Sequence, residues 1–245
     1  MKTVIIVQAR MTSTRLPGKV LKEVLGKPLL EYLVERLRRV RQADAFVIAT
    51  TVNAADDPIV ALCERLGVAV TRGPELDVLA RYHAAARVHG ADIVVRVTSD
   101  CPLIDPELID AMILGFREAD DAPDYLSNTL QPTFPYGMAV EVFRAGALAE
   151  AHAEAAAEPE REHVTPFLYL RPERYRIRHY RQAEDLSRHR WTVDTPEDFE
   201  LVRRLIEDIY PHNPAFRMAD VLAALAHHPD WARLNAHIAQ KALGQ

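Results

Sequence analysis

Apolar, β-branched runs alternate with amphipathic helical stretches along the first hundred residues, and this alternation leaves very few folds open to the chain. Residues 3–7, 45–51, 68–70 and 93–97 read as strands buried on both faces. Between them a first helix is expected over 28–42, with Leu29, Leu33, Leu37 and Val40 on one face and Arg36, Arg38, Arg39 and Arg41 largely on the others. A second follows Asp57, with Pro58 in its first turn and Gly67 at its end; a third runs over 77–89 and stops at Gly90. Strand–helix–strand order with short connections implies an α/β fold: a doubly wound, mainly parallel sheet with helices on both faces and right-handed crossovers.

A chain of 245 residues, 49% of them hydrophobic, is long enough for one large domain. The division expected is a main domain over 1–217 and a helical tail over 218–245 packed on it. Residues 120–142 break the rhythm, because Pro123, Pro132, Pro135 and Gly137 surround short strand-like pieces. They mark a small hairpin-like excursion and a candidate dimer or acceptor element. Helices are expected over 145–157 and 160–170, strands near 175–180 and 190–193, and a long helix from Pro196. The tail reads as two more helices, with Trp231 and Leu234 as packing anchors.

The formal charge of −5 is mild and spread through both halves, which argues against nucleic acid or an anionic membrane as partner. Cys63 and Cys101 have no CxxC or His/Cys spacing around them, so neither a disulfide framework nor a zinc site is expected. The opening MKTVIIVQAR is apolar for too few residues before its arginine to be a signal peptide or a membrane span. A cytoplasmic setting fits these features.

In an open parallel sheet, ligands bind beyond the carboxyl ends of the strands. Three polar motifs fall at such ends: QARMTSTRLPGK after the first strand, SDCP at 99–102 after the fourth, and VDTPED at 193–198 after the late strand. Cations from the first and carboxylates from the other two point to phosphate and a divalent metal. The first motif is not a Walker A loop, since only Gly18 precedes Lys19 and Val20 stands where Ser or Thr belongs. A polyphosphate is held equally well by the forks of Arg10 and Arg15, the point charge of Lys19, backbone N–H groups, and the hydroxyls of Thr12, Ser13 and Thr14. Pro17 and Gly18 would shape the turn that delivers Lys19. The plainer alternative is a solvated surface loop.

Asp100 and Asp194 are the natural pair for magnesium on polyphosphate oxygens, which takes one or two protein carboxylates plus water. The alternative for Asp194 is helix capping, with Thr195 at the N-cap and Pro196 in the first turn. Asp105 reads as a cap for the helix starting at Pro106. Cys101 lacks a partnered base, which weighs against a nucleophile.

Together, IIVQARMTSTRLPGKVL, RVTSDCPLID and WTVDTPEDFE resemble the cytidylyltransferase family that makes CMP-activated acidic sugars, including the KDO and acylneuraminate enzymes. TRGPELDVLARYHAA and EREHVTPFLYLRPE are similar to its branch named for spore-coat polysaccharide biosynthesis. The resemblance spans roughly residues 2–205. It implies a nucleotide-diphospho-sugar transferase-like fold and transfer of a cytidylyl group from CTP to a sugar-acid hydroxyl, with release of pyrophosphate. Arg10, Arg15 and Lys19 would hold the triphosphate and stabilise charge at the α-phosphorus; Asp100 and Asp194 would ligate Mg2+. Nucleotide contacts are implied at Ala9, Arg10, Thr12, Ser13, Lys19, Arg72, Asp77, Arg81 and Ser99, where Asp77 also reads as a helix cap. Glu141, Glu162 and His163 would line the acceptor pocket; the alternative for Glu162 and His163, on an alanine-rich helix, is a structural or solvated role. The KDO pattern has glycine before the first metal aspartate, where this chain has Ser99, and the acceptor-side segments differ, so the acceptor sugar stays open.

Two other classes remain at this point. A glycosyltransferase with a nucleotide-sugar donor shares the architecture, though SDCP is not a DxD motif and the Arg/Lys loop suits a triphosphate better. A non-catalytic nucleotide-binding partner is the third, and retention of Lys19, Asp100 and Asp194 counts against it. CTP, an acidic sugar and a second copy of the chain are the partners expected.

Overall fold

Strand β1 (Thr3–Gln8) lies at the centre of the fold, and Val4 through Val7 lose all contact with water. In the computed structural model, which describes residues 1–239, β1 pairs in parallel with β4 (Ala45–Thr51) on one side and β6 (Ile93–Thr98) on the other. Successive side chains of a strand point to opposite faces, so Ile5 and Val7 enter one core while Val4 and Ile6 enter a second. Beyond β4 lies β5 (Ala69–Gly73), also parallel. Three strands complete the seven-stranded sheet on the far side of β6. β7 (Tyr125–Ser127) and β9 (Ile177–His179) pair in parallel, and β8 (Glu141–Arg144) runs antiparallel between β6 and β7. A two-stranded ribbon, β2 (Glu23–Val24) with β3 (Lys27–Pro28), stands apart from it.

Helices cover both faces. The first core takes side chains from α1 (Leu29–Leu37), α2 (Asp57–Leu66), α4 (Pro106–Arg117), α8 (Pro196–Ile209) and α9 (Met218–His227). The second takes them from α3 (Val78–Val88), α5 (Ala145–Glu154) and the short α7 (Pro166–Tyr169). Helix α6 (Glu158–His163) sits beside α3. Because β5, β4, β1 and β6 all run the same way, their carboxyl ends share one edge of the sheet. No helix among the described residues is long and apolar enough to cross a membrane.

Several boundaries differ from the sequence expectation. Helix α1 ends at Leu37 rather than 42, because the chain turns where the Arg41 and Gln42 N–H groups both donate to Asp110 Oδ1. Arg36, expected on a solvated face, is buried: its guanidinium stacks 3.8 Å from the centre of the Phe216 ring and donates to the Phe216 carbonyl. The strand expected at 68–70 runs Ala69–Gly73, paired along β4. The helix expected over 160–170 breaks at Val164, where φ is +72°, and restarts at Pro166. The strand expected at 190–193 is an extended strap with one bridge, Tyr136 to Arg190. The excursion is not separate from the sheet, since β7 and β8 are built into it. In the tail, α9 is followed by a single 3-10 turn, Trp231–Arg233, rather than a second helix; residues 240–245 lie outside the described residues.

Candidate active site

The loop after β1 closes on itself. The Gly18 N–H donates to the Met11 carbonyl at 2.9 Å, and the Met11 N–H is held at 2.7 Å by Asp56, a fully buried carboxylate at the start of α2. Gly18 has φ +69°, a conformation that favours glycine, and a β-carbon there would stand 3.3 Å from Met11 Cε. The next residue begins a 3-10 turn, Lys19–Leu21, which turns the Lys19 side chain inward.

Lys19 Nζ lies 2.9 Å from Asp100 Oδ2 and 2.7 Å from Asp194 Oδ1. Three segments far apart in sequence therefore meet at one ammonium. Asp100 follows β6, and its other oxygen accepts from Thr98 Oγ1 at 2.5 Å. Asp194 sits on the strap before α8, anchored by the Val193 N–H donating to the Asp100 carbonyl at 2.8 Å. The capping role falls to its neighbours. Thr195 is the N-cap and Asp198 completes a capping box, which leaves the Asp194 side chain to Lys19, Arg15 and Arg190.

Burial acts against both charges in this cluster, and the opposite charges win. The Lys19 ammonium is raised above its ordinary range by Asp100 and Asp194, and the Asp100 carboxyl is held below the carboxylate range by Lys19 and the hydrogen bond from Thr98. Burial and the Asp100 charge both push the Cys101 thiol up, so it is not a ready thiolate. Among the described residues no three His, Cys, Asp or Glu side chains form a ready-made metal cage. Asp100 and Asp194 supply two hard oxygen donors on one point, which suits a magnesium that keeps water and phosphate ligands.

A cleft of about 950 Å³ opens in front of this cluster. Ala9, Arg10, Ser13, Arg15, Lys19, Arg81, Ser99, Asp100, Glu141, Glu162, His163 and Asp194 all line it. Thr12, Arg72 and Asp77 stand outside its lining. Thr12 donates to Glu75; Arg72 bonds the carbonyls of Thr51 and Asn53 and pairs with Asp57; Asp77 caps α3 through the Ala80 N–H and pairs with Arg161. Arg81 is 3% exposed, and its Nε and Nη1 have no hydrogen-bond partner among the described residues. Its stem packs on Gly73, where a β-carbon would come within 2.8 Å of Arg81 Cγ. At the far end, Glu141 is buried and accepts from Arg96, the Tyr125 hydroxyl and Thr165 Oγ1. Burial lowers the His163 imidazole below its ordinary value, and nearby Arg96 adds to that against the opposing Glu162.

The sequence profile of the cytidylyltransferase family matches residues 4–223. This chain belongs to the cytidylyltransferase family. Spore coat polysaccharide biosynthesis protein SpsF of Bacillus subtilis is 33% identical over 93% of this cytidylyltransferase and 95% of its own length. A 3-deoxy-manno-octulosonate cytidylyltransferase of Anaeromyxobacter is 30% identical over 84% and 97%. Among solved structures, a cytidylyltransferase from Leptospira borgpetersenii superposes with a TM-score of 0.91 at 32% identity, covering 99% of this chain and all of the other. The chain is a nucleotidyltransferase enzyme.

Residues that the motifs did not single out hold the candidate site together in this cytidylyltransferase. Arg190 holds Asp194 Oδ2 through Nη2 at 2.9 Å and Asp198 through Nε at 2.9 Å; Asn235 donates to Asp198 at 2.8 Å. Asp56 and Glu75 pin the loop after β1, and Arg96 anchors Glu141. Asp198 was visible inside VDTPED. Asp56, Glu75, Arg96 and Asn235 act on residues distant in sequence, and Arg190, only four residues before Asp194, stands outside the polar motif that carries it.

Proposed function

We propose that this cytidylyltransferase uses magnesium to transfer CMP from CTP to a hydroxyl of a sugar acid of the ulosonic or nonulosonic class, for a surface polysaccharide or glycan. The observation that carries the reading is the meeting of Lys19, Asp100 and Asp194 at the wall of a cleft also lined by Arg10 and Arg15. The named activity of the 3-deoxy-manno-octulosonate relative supports the acceptor class, and the name of SpsF supports a polysaccharide as destination.

Arg10, Arg15 and Lys19 bind the triphosphate and stabilise charge that builds on the α-phosphoryl group. The acceptor oxygen forms its bond to the α-phosphorus as the bond to the bridging oxygen breaks; the hydroxyl proton passes to solvent water and pyrophosphate departs. Asp100 and Asp194 would hold the magnesium, whose charge would help to orient and stabilise the leaving pyrophosphate. Arg81 and Ser99 face the nucleotide, and Glu141, Glu162 and His163 face the acceptor. Transfer takes place in the cytoplasm, on a homodimer that uses the 120–142 excursion; light scattering that finds only the single-chain mass overturns the dimer.

The test is pyrophosphate release from each of the four nucleoside triphosphates with magnesium across a panel of 3-deoxy-ulosonic and nonulosonic acids. Release with CTP and one acceptor is expected, and Lys19→Ala and Asp100→Asn should lower turnover at least about a hundredfold with the fold intact. Release with another triphosphate, or none with any acid while a neutral sugar is accepted, overturns the assignment; a fully active Asp100→Asn enzyme removes that residue from the metal site.

A further inference from the structure

The two carboxylates assigned to the metal have no free oxygen. Asp100 Oδ1 takes the Thr98 hydroxyl and Oδ2 takes Lys19; Asp194 Oδ1 takes Lys19, and Oδ2 takes both Arg15 and Arg190 at 2.9 Å. Three anions, Asp100, Asp194 and Asp198, face three cations, Lys19, Arg15 and Arg190. Among the described residues these charges balance. A divalent cation brought alone to it meets fixed positive charge in a site largely withdrawn from water, where such repulsion is poorly screened. A triphosphate changes that balance, because its oxygens offer an ammonium and a guanidinium new anionic partners.

The three cations are not equally placed for such an exchange. Arg190 is locked by two bonds to buried Asp198 and does not line the cleft. Lys19 and Arg15 do line it, and the Lys19 ammonium is a point charge on a flexible stem whose hydrogen bonds go to the two metal carboxylates. We infer that Lys19 holds the metal's place in the free enzyme and gives it up only when the polyphosphate draws the ammonium away. The metal then enters with the nucleotide or after it, and not before. Lys19 thus couples two binding events besides holding phosphate. This rests on the assignment of Asp100 and Asp194 to the metal.

The probe is Mn2+ alone, followed on the full chain by the loss of the free-ion electron paramagnetic resonance signal, without nucleotide. Wild type should show no stoichiometric site tighter than about 1 mM. Lys19→Met and Lys19→Gln, each checked for fold by circular dichroism, should gain a site at least about tenfold tighter, within the ordinary range of coupling energies. Adding Asp100→Asn to either should remove it. Tight nucleotide-free binding by the wild type, abolished by Asp100→Asn, overturns the inference without any Lys19 variant. So does failure of both variants to gain a site. If in that case CTP still brings to the wild type a protein-bound manganese that Asp100→Asn loses, the metal assignment stands and the Lys19 inference alone fails. If CTP brings none, the metal assignment fails with it.

Discussion

Replacing Asp198 with asparagine should destabilise this protein more than any comparably small change in the cleft. The side chain is fully buried, and five donors converge on it. Arg190 Nε and Asn235 Nδ2 reach Oδ1 at 2.9 and 2.8 Å; Arg190 Nη2, the Asp194 N–H and the Thr195 N–H reach Oδ2 at 3.0, 3.0 and 3.1 Å. An amide keeps only one acceptor, so either orientation turns an N–H2 group toward at least two of these donors. Each buried donor left unmade costs about 1–3 kcal/mol, and Arg190 loses one of the two carboxylates that hold it among the described residues, so the total is at least about 3 kcal/mol. In a domain of this size that lowers Tm by about 6–12 °C. Calorimetry or urea unfolding reads it directly. A variant within about 1 kcal/mol of wild type would refute the claim that Asp198 is the fixed anchor of the strap carrying Asp194.

Gly137→Ala tests the other side of that strap. Gly137 has φ +106°, and a β-carbon there would lie 2.6 Å from the Trp191 carbonyl carbon and the Thr192 nitrogen, so the strap must move; a loss of about 1–3 kcal/mol is expected, together with weaker CTP-dependent turnover, both read on the purified variant. Stability should also follow pH in a defined way. The Asp100 carboxyl is lowered on folding, so its contribution is present above the ordinary carboxylate value and fades as pH falls through its lower folded value. The Lys19 ammonium is raised, so its contribution is full below the ordinary lysine value and fades as pH rises through its higher folded value. Urea midpoints should accordingly stay flat between about pH 5 and 9 as far as this cluster is concerned, and Lys19→Met should unfold at lower urea throughout that window; a Lys19→Met midpoint equal to wild type refutes the coupling.

The alternation that pointed to a doubly wound sheet survives in β1, β4, β5 and β6, whose parallel order sets all their loops at one edge. Where the sequence expectation went astray, burial was mistaken for pairing. Residues 191–193 are apolar or β-branched and buried, as strand residues are, yet their backbone bonds go to Tyr136 and Asp100 in loops rather than to a ladder. Hydrophobic period reports which residues leave water and says nothing of what their N–H groups meet.

The site divides along a similar line. Its cations and two carboxylates were legible because each stands beside a strand end in a short polar motif. What sequence cannot separate is a carboxylate with permanent partners from one with exchangeable partners. Glu141 and Asp194 are both buried acids beside arginine. The donors to Glu141 are Arg96 on β6, Tyr125 on β7 and Thr165 just before α7, and Arg96 and Thr165 line the cleft as Glu141 does. Those to Asp194 include Lys19 and Arg15, both on the loop after β1 and both lining the cleft, where the proposed triphosphate would compete for them. Buried acids thus stand at both ends of the cleft, one held mainly from the strands β6 and β7 and the other held partly from the loop after β1, and that difference shows only once the chain is folded.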